Sequence, residues 1–69
     1  MLAPNFISSI LEAGASIELP DGYAPNFITD WIKIAVARGG HLILAGNYAP
    51  NFLIDWAKLG GSHFTYRVG

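Results

Sequence analysis

The chain has 69 residues, a formal net charge of −1 and no cysteine, which excludes disulfide cross-links and thiolate metal sites. The few charges are spread along the chain, so the basic stripe that nucleic-acid binding requires is missing. Hydrophobic residues make up 52% of the sequence, more than a small core can readily bury, and this predicts a homo-oligomer or a protein partner.

The first predicted element is a helix that begins at Pro4. Proline fits the first helical position because its φ is preset there and its missing N–H is not needed. Gly14 is predicted to end this helix with a left-handed cap. Residues 17–19 then have the composition of a short strand, and the turn residues Pro20-Asp21-Gly22 follow it.

The same order of elements recurs twice more along the chain. Ala3-Pro4-Asn5-Phe6-Ile7 returns as Ala24-Pro25-Asn26-Phe27-Ile28 and as Ala49-Pro50-Asn51-Phe52-Leu53. The second and third helices are predicted to stop at glycine pairs, before strands at residues 42–44 and 64–66. The motif spacing is 21 and then 25 residues, which indicates that the middle helix is about one turn longer and keeps its face in phase.

Three tandem helix–strand repeats in one domain are therefore predicted, at about residues 3–22, 23–47 and 48–69 of a domain spanning 1–69. Parallel strands joined by right-handed helical crossovers would form a three-stranded α/β sheet with helices on one face. We expect a short solenoid, which is oligomeric.

One feature of the pattern carries a resemblance to known families. A helix ending as in Lys58-Leu59-Gly60-Gly61, followed by a short apolar strand, is similar to short bacterial α/β tandem-repeat proteins. More loosely it resembles leucine-rich-repeat solenoids, whose period is also 20–29 residues. The resemblance implies a fold and no activity.

Alternation along the strands predicts two faces of the sheet. The face toward the helices is predicted to hold Ile17, Leu19, Leu42, Leu44, Phe64 and Tyr66. Parallel sheets are rarely left bare, so the opposite face is the predicted interface, formed by Glu18, His41, Ile43, Ala45, His63, Thr65 and Arg67. On the helices, the spacing of Phe27, Trp31, Phe52 and Trp56 predicts a buried aromatic core, and Asp30–Lys33 and Asp55–Lys58 are predicted surface ion pairs.

Two other groups are weighed as binding sites. His41 and His63 would lie side by side with Glu18 nearby, which offers a metal site shared between two chains, a pH-sensitive interface, or ordinary local hydrogen bonding. The strand-to-helix loops would group Asp21, Tyr23, Asn26, Asn47, Tyr48 and Asn51, where a small anion or sugar could bind. The alternative is that the asparagines cap neighbouring backbone and the tyrosines pack between repeats.

The predicted function is a non-enzymatic interaction or self-assembling module that uses the open sheet face or the sheet edges. A small ligand- or metal-binding protein is the alternative, and a fragment or designed piece of a longer array is a third possibility. No plausible cleft holds a pair of carboxylates, so we expect neither catalysis nor a cofactor. No apolar run reaches the roughly 18–20 residues of a membrane span, no signal peptide is visible, and a cytoplasmic location is the default expectation.

Overall fold

A computed structural model describes residues 2–68; Met1 and Gly69, the outer bounds of the predicted domain, lie outside the described residues. Three helices alternate with three strands in this range: α1 (Pro4–Glu12), β1 (Ser16–Leu19), α2 (Pro25–Arg38), β2 (His41–Ala45), α3 (Pro50–Gly60) and β3 (Phe64–Arg67), with a 3-10 turn (Gly61–His63) between α3 and β3. Each helix, together with the two residues just before it and the strand that follows it, is called a unit below. The predicted α/β order is confirmed, and the middle helix is the longest.

The helices begin at the prolines, as predicted. The capping residues Ala3, Ala24 and Ala49 have extended backbone and give no side-chain cap, so proline geometry defines these starts. The alternative in which the adjacent asparagines cap backbone groups is not supported, because these helix starts have no side-chain cap hydrogen bond in residues 2–68. At the other end of α2, Gly39 takes the left-handed conformation with φ of 80°, which glycine adopts without steric cost.

The sheet is parallel, in the order β1-β2-β3. Ile17 pairs with Leu42, and Leu42 pairs with Phe64, so equivalent strand positions lie in one row across the sheet. Leu19, Leu42 and Leu44 are fully buried in the core shared with the helices, and Ile17, Phe64 and Tyr66 pack against it. No residue of the opposite face belongs to this core in the described part of the chain, so the helices cover one face, as predicted.

The core contains only part of the predicted aromatic set. Trp31 and Trp56 are buried, but Phe27 and Phe52 keep 38% and 39% of their surface exposed. Each phenylalanine stacks on the tryptophan four residues later, with ring centroids 5.6 and 5.5 Å apart. The prediction of four core aromatics is therefore wrong for the phenylalanines, which share the helix face of the tryptophans but lie at its border, where neighbouring elements cover them only in part.

The predicted ion pairs along the helices do not form. Within residues 2–68 the one salt bridge joins Arg67 to Glu18 across the sheet, and Asp30, Lys33, Asp55 and Lys58 are exposed. Exposed pairs at this helical spacing contribute only a few tenths of a kcal/mol (roughly 0.2–0.5), too little to hold long side chains in one geometry.

Candidate functional site

The open face of the sheet holds most of the predicted interface residues. Arg67 on β3 donates from Nη2 to Oε1 of Glu18 on β1 over 2.8 Å, so this ion pair crosses the central strand. Ile43 and Ala45 on that strand are half-buried, although no helix lies over them. The side chains of this face thus contact one another and leave only a narrow apolar strip.

The two histidines occupy different settings. His41 opens β2, and its Nε2 lies 2.6 Å from the Thr65 hydroxyl. His63 lies in the 3-10 turn before β3, and its Nδ1 donates to the Gly40 carbonyl over 2.7 Å. The prediction that both histidines lie within strands is therefore wrong for His63, which comes one residue before β3. In the stretch 2–68, no three His, Cys, Asp or Glu side chains are grouped as metal ligands would be.

The tyrosines of the predicted ligand loops use their hydroxyls within the molecule. Tyr23 is buried and donates to the Leu2 carbonyl over 2.8 Å, and Tyr48 donates to the Tyr23 carbonyl over 3.1 Å. Each tyrosine thus joins its unit to the preceding one, as the non-binding alternative predicted. Burial, then the negative charge of Asp21 and the phenol of Tyr66, raise the pKa of Tyr48.

The remaining loop candidates lie at the surface. The exposed residues are Asp21, Asn26, Asn47 and Asn51. No enclosed pocket is found in residues 2–68, so these side chains line none. In the loop before α3, the Gly46 carbonyl accepts a hydrogen bond from the Tyr66 hydroxyl over 2.6 Å.

A second set of hydrogen bonds joins neighbouring helices. The indole N–H of Trp31 donates to the Ser8 hydroxyl on α1 over 3.0 Å, and that of Trp56 donates to the Thr29 hydroxyl on α2 over 2.9 Å. In both cases the donor belongs to the later unit and the acceptor to the earlier one. The junctions between units therefore have a direction.

Large exposed apolar side chains, which the predicted interface did not include, lie on the outer sides of the first and third units, and Val36 on the middle helix is 42% exposed as well. Leu2 and Phe6 are 51% and 59% exposed on the first unit, and Ile54 is 55% exposed on the third. Aligning the three Ala-Pro-Asn-Phe motifs could have identified them. The equivalent residues of the middle unit lie between two neighbouring units, whereas the first and third units each have a neighbouring unit on one side only.

The outer strands complete these two sides. β1 and β3 each pair with β2 alone in the described range, so each leaves one row of backbone N–H and C=O groups without a strand partner. Such edges readily accept a strand from another chain. None of the helices within residues 2–68 has the length and apolar character that a bilayer crossing requires.

Comparisons of the chain with protein-family models, curated proteins and solved structures yield no match. The resemblance to tandem-repeat proteins therefore stays a prediction.

Proposed function

We propose that this chain is a non-enzymatic interaction module that associates with further copies of itself through the edges of its sheet. The observation that carries the proposal is the combination, on each outer side, of an unpaired parallel strand in residues 2–68 and large exposed apolar side chains. Backbone groups and apolar surface are the two features that strand-to-strand association uses.

The edges support association better than the open face does. The polar groups on that face are engaged with one another, through the Arg67–Glu18 ion pair and the His41–Thr65 hydrogen bond. A partner lying on this face would have to displace or desolvate them, which is unfavourable for charged groups. Association through an edge leaves both interactions in place.

A metal- or ligand-binding function has less support. The hydroxyls of Tyr23 and Tyr48 and one ring nitrogen of each histidine already have partners within the chain. The tyrosine hydroxyls are therefore engaged, and within residues 2–68 the histidines are not grouped with enough further His, Cys, Asp or Glu side chains to hold a metal ion.

Light scattering at increasing protein concentration tests the proposed function. We expect a mass above the 7.4 kDa of one chain, growing with concentration. A chain that stays monomeric at about 100 μM, where even a weak contact of 10 μM dissociation constant would be mostly formed, would reject the proposal.

The variant Ile43→Thr separates the edges from the open face. Ile43 lies at the centre of that face, and threonine keeps its β-branched shape. If association uses the edges, the mass distribution of this variant matches the parent. Loss of association in Ile43→Thr, with an unchanged circular dichroism spectrum, would move the contact to the face.

A further inference from the structure

We infer that copies of this chain associate head to tail, with β3 of one copy pairing in parallel with β1 of the next and α3 packing beside α1. The inference rests on the self-association proposed above and adds its direction and its contacts. The head is the outer side of the first unit, with Leu2, Phe6 and Ile10; the tail is the outer side of the third unit, with Ile54 and β3.

The junctions inside the chain define what each side of a unit offers. The side facing the preceding unit carries the donors, a tyrosine two residues before the motif proline and a tryptophan six residues after it. The side facing the following unit carries the acceptor, a serine or threonine four residues after the proline. Trp31 with Ser8 and Trp56 with Thr29 are the two instances.

Both outer sides replace these polar groups with apolar ones. In the first unit, the tyrosine and tryptophan positions hold Leu2 and Ile10. In the third unit, the hydroxyl position holds Ile54. Stacking the head of one copy on the tail of another places Ile10 opposite Ile54, so the indole donor and the hydroxyl acceptor are lost together and neither is buried without its partner.

The exposure of the phenylalanines agrees with this arrangement. Phe6 is 59% exposed, whereas Phe27 and Phe52, at the same motif position but with a preceding unit beside them, are 38% and 39% exposed. Part of this difference comes from the stacked tryptophan of the same helix, which Phe6 lacks, and a tail placed against the head would cover the surface of Phe6 that is left open.

Charge also favours head-to-tail over a symmetric pairing. Glu18 pairs with Ile43, and Ile43 pairs with Thr65. Continuing the sheet therefore places Glu18 of the next copy beside Thr65, on the strand next to the one that carries Arg67. A head-to-head contact would instead bring two Glu18 carboxylates onto neighbouring edge strands, and like charges there repel. The contact is therefore heterologous, and each copy keeps one free head or tail for further growth.

Two variants, each blocking one side, test the direction. Phe6→Glu places a charge on the head and Ile54→Glu places one on the tail; both residues are more than half exposed, so the monomer fold is retained. We expect each variant alone to associate about tenfold or more weakly than the parent. An equimolar mixture retains one intact head and one intact tail and should form a 1:1 dimer of chains in sedimentation and native mass spectrometry.

Matched controls carry the same charge away from the junctions. Asn5→Glu and Asn51→Glu alter exposed residues whose counterpart in the middle unit, Asn26, stays exposed between two neighbours. These controls should associate like the parent.

The outcomes separate the inference from the proposed function. A parent that is monomeric rejects both. A parent that associates while Ile54→Glu alone still forms stable dimers rejects the direction and indicates a head-to-head contact. Variants that fail to complement each other in the mixture reject the direction as well, because non-specific apolar association gives no 1:1 stoichiometry.

Discussion

The tryptophans show how single residues link the units. The Trp31 side chain is 1% exposed, and its one polar atom finds the hydroxyl of Ser8. A buried N–H that loses its acceptor costs about 1–3 kcal/mol, so this residue pair has more effect on stability than the area of contact alone suggests.

Replacing Ser8 with alanine tests that bond, and Ser9 supplies a matched control. Both serines lie in α1 and both donate to the carbonyl four residues earlier, but only Ser8 accepts from Trp31. We expect Ser8→Ala to lower the free energy of unfolding by about 1–3 kcal/mol relative to Ser9→Ala, as measured by urea denaturation. Equal stabilities of the two variants would contradict this role.

Tyr48 should make the stability depend on pH at high pH. Its raised pKa, caused first by burial and then by Asp21 and Tyr66, means that the folded state holds the phenolic proton more tightly than the unfolded chain. The stabilisation is complete below the unfolded value of about 10 and is lost as pH rises through the folded pKa.

Urea denaturation between pH 8 and 11 measures this effect in the parent and in Tyr48→Phe. The variant should be less stable by about 1 kcal/mol at pH 8, because it lacks the hydrogen bond to the Tyr23 carbonyl. The difference should shrink at the highest pH, since only the parent has this phenol to ionise. A constant difference across the range would show that Tyr48 ionises alike in both states.

At the scale of elements, the passage from helix to strand requires close backbone approach. Gly40 precedes β2, and a Cβ atom there would lie 2.5 Å from the carbonyl oxygen of Ala15, just before β1. Its neighbour Gly39 has open space around its Cα but a φ of +80°. The adjacent glycines therefore serve different purposes, one steric and one conformational.

Substituting each glycine separates these purposes. Gly40→Ala should lower the free energy of unfolding by about 1–3 kcal/mol, because the contacting atom belongs to the backbone and cannot move away cheaply. Gly39→Asn should change it by less than about 1 kcal/mol, because asparagine tolerates the left-handed conformation. Thermal denaturation monitored by circular dichroism gives both values. An unchanged free energy of unfolding in Gly40→Ala would mean that β1 and β2 can move apart without loss of stability.

At the scale of the whole molecule, association and stability should be coupled. A chain of this length has a small core and marginal stability, and binding another copy stabilises the folded state by mass action.

The coupling predicts that Tm depends on concentration. In the range where copies associate, a tenfold increase in parent concentration should raise Tm by about 5 °C. Ile54→Glu, measured over the same range by scanning calorimetry, should show a smaller rise, because it associates more weakly. An invariant parent Tm alongside a growing solution mass would mean that the unfolded chains associate as well.

Much of the fold could be predicted from the sequence, for local reasons. Backbone sterics within a few residues determine the prolines at helix starts, the glycines at helix ends and the two-residue alternation in the strands. The order of the elements, and the face of the sheet on which Leu42 and Leu44 lie, can therefore be predicted from the sequence. The parallel arrangement follows as well, because a helix between two strands carries the chain back to the end of the sheet at which the first strand began.

What the tertiary structure decided is which surfaces remain free. The phenylalanines and tryptophans share one helical periodicity, yet the tryptophans are buried and the phenylalanines lie at the border, because neighbouring helices cover only part of each face. Likewise Arg67 reaches Glu18 across 49 positions of sequence, and His63 leaves the strand for a turn. Side-chain exposure and the pairing of residues far apart in sequence depend on how separate elements pack against one another, and local sequence patterns do not encode that packing.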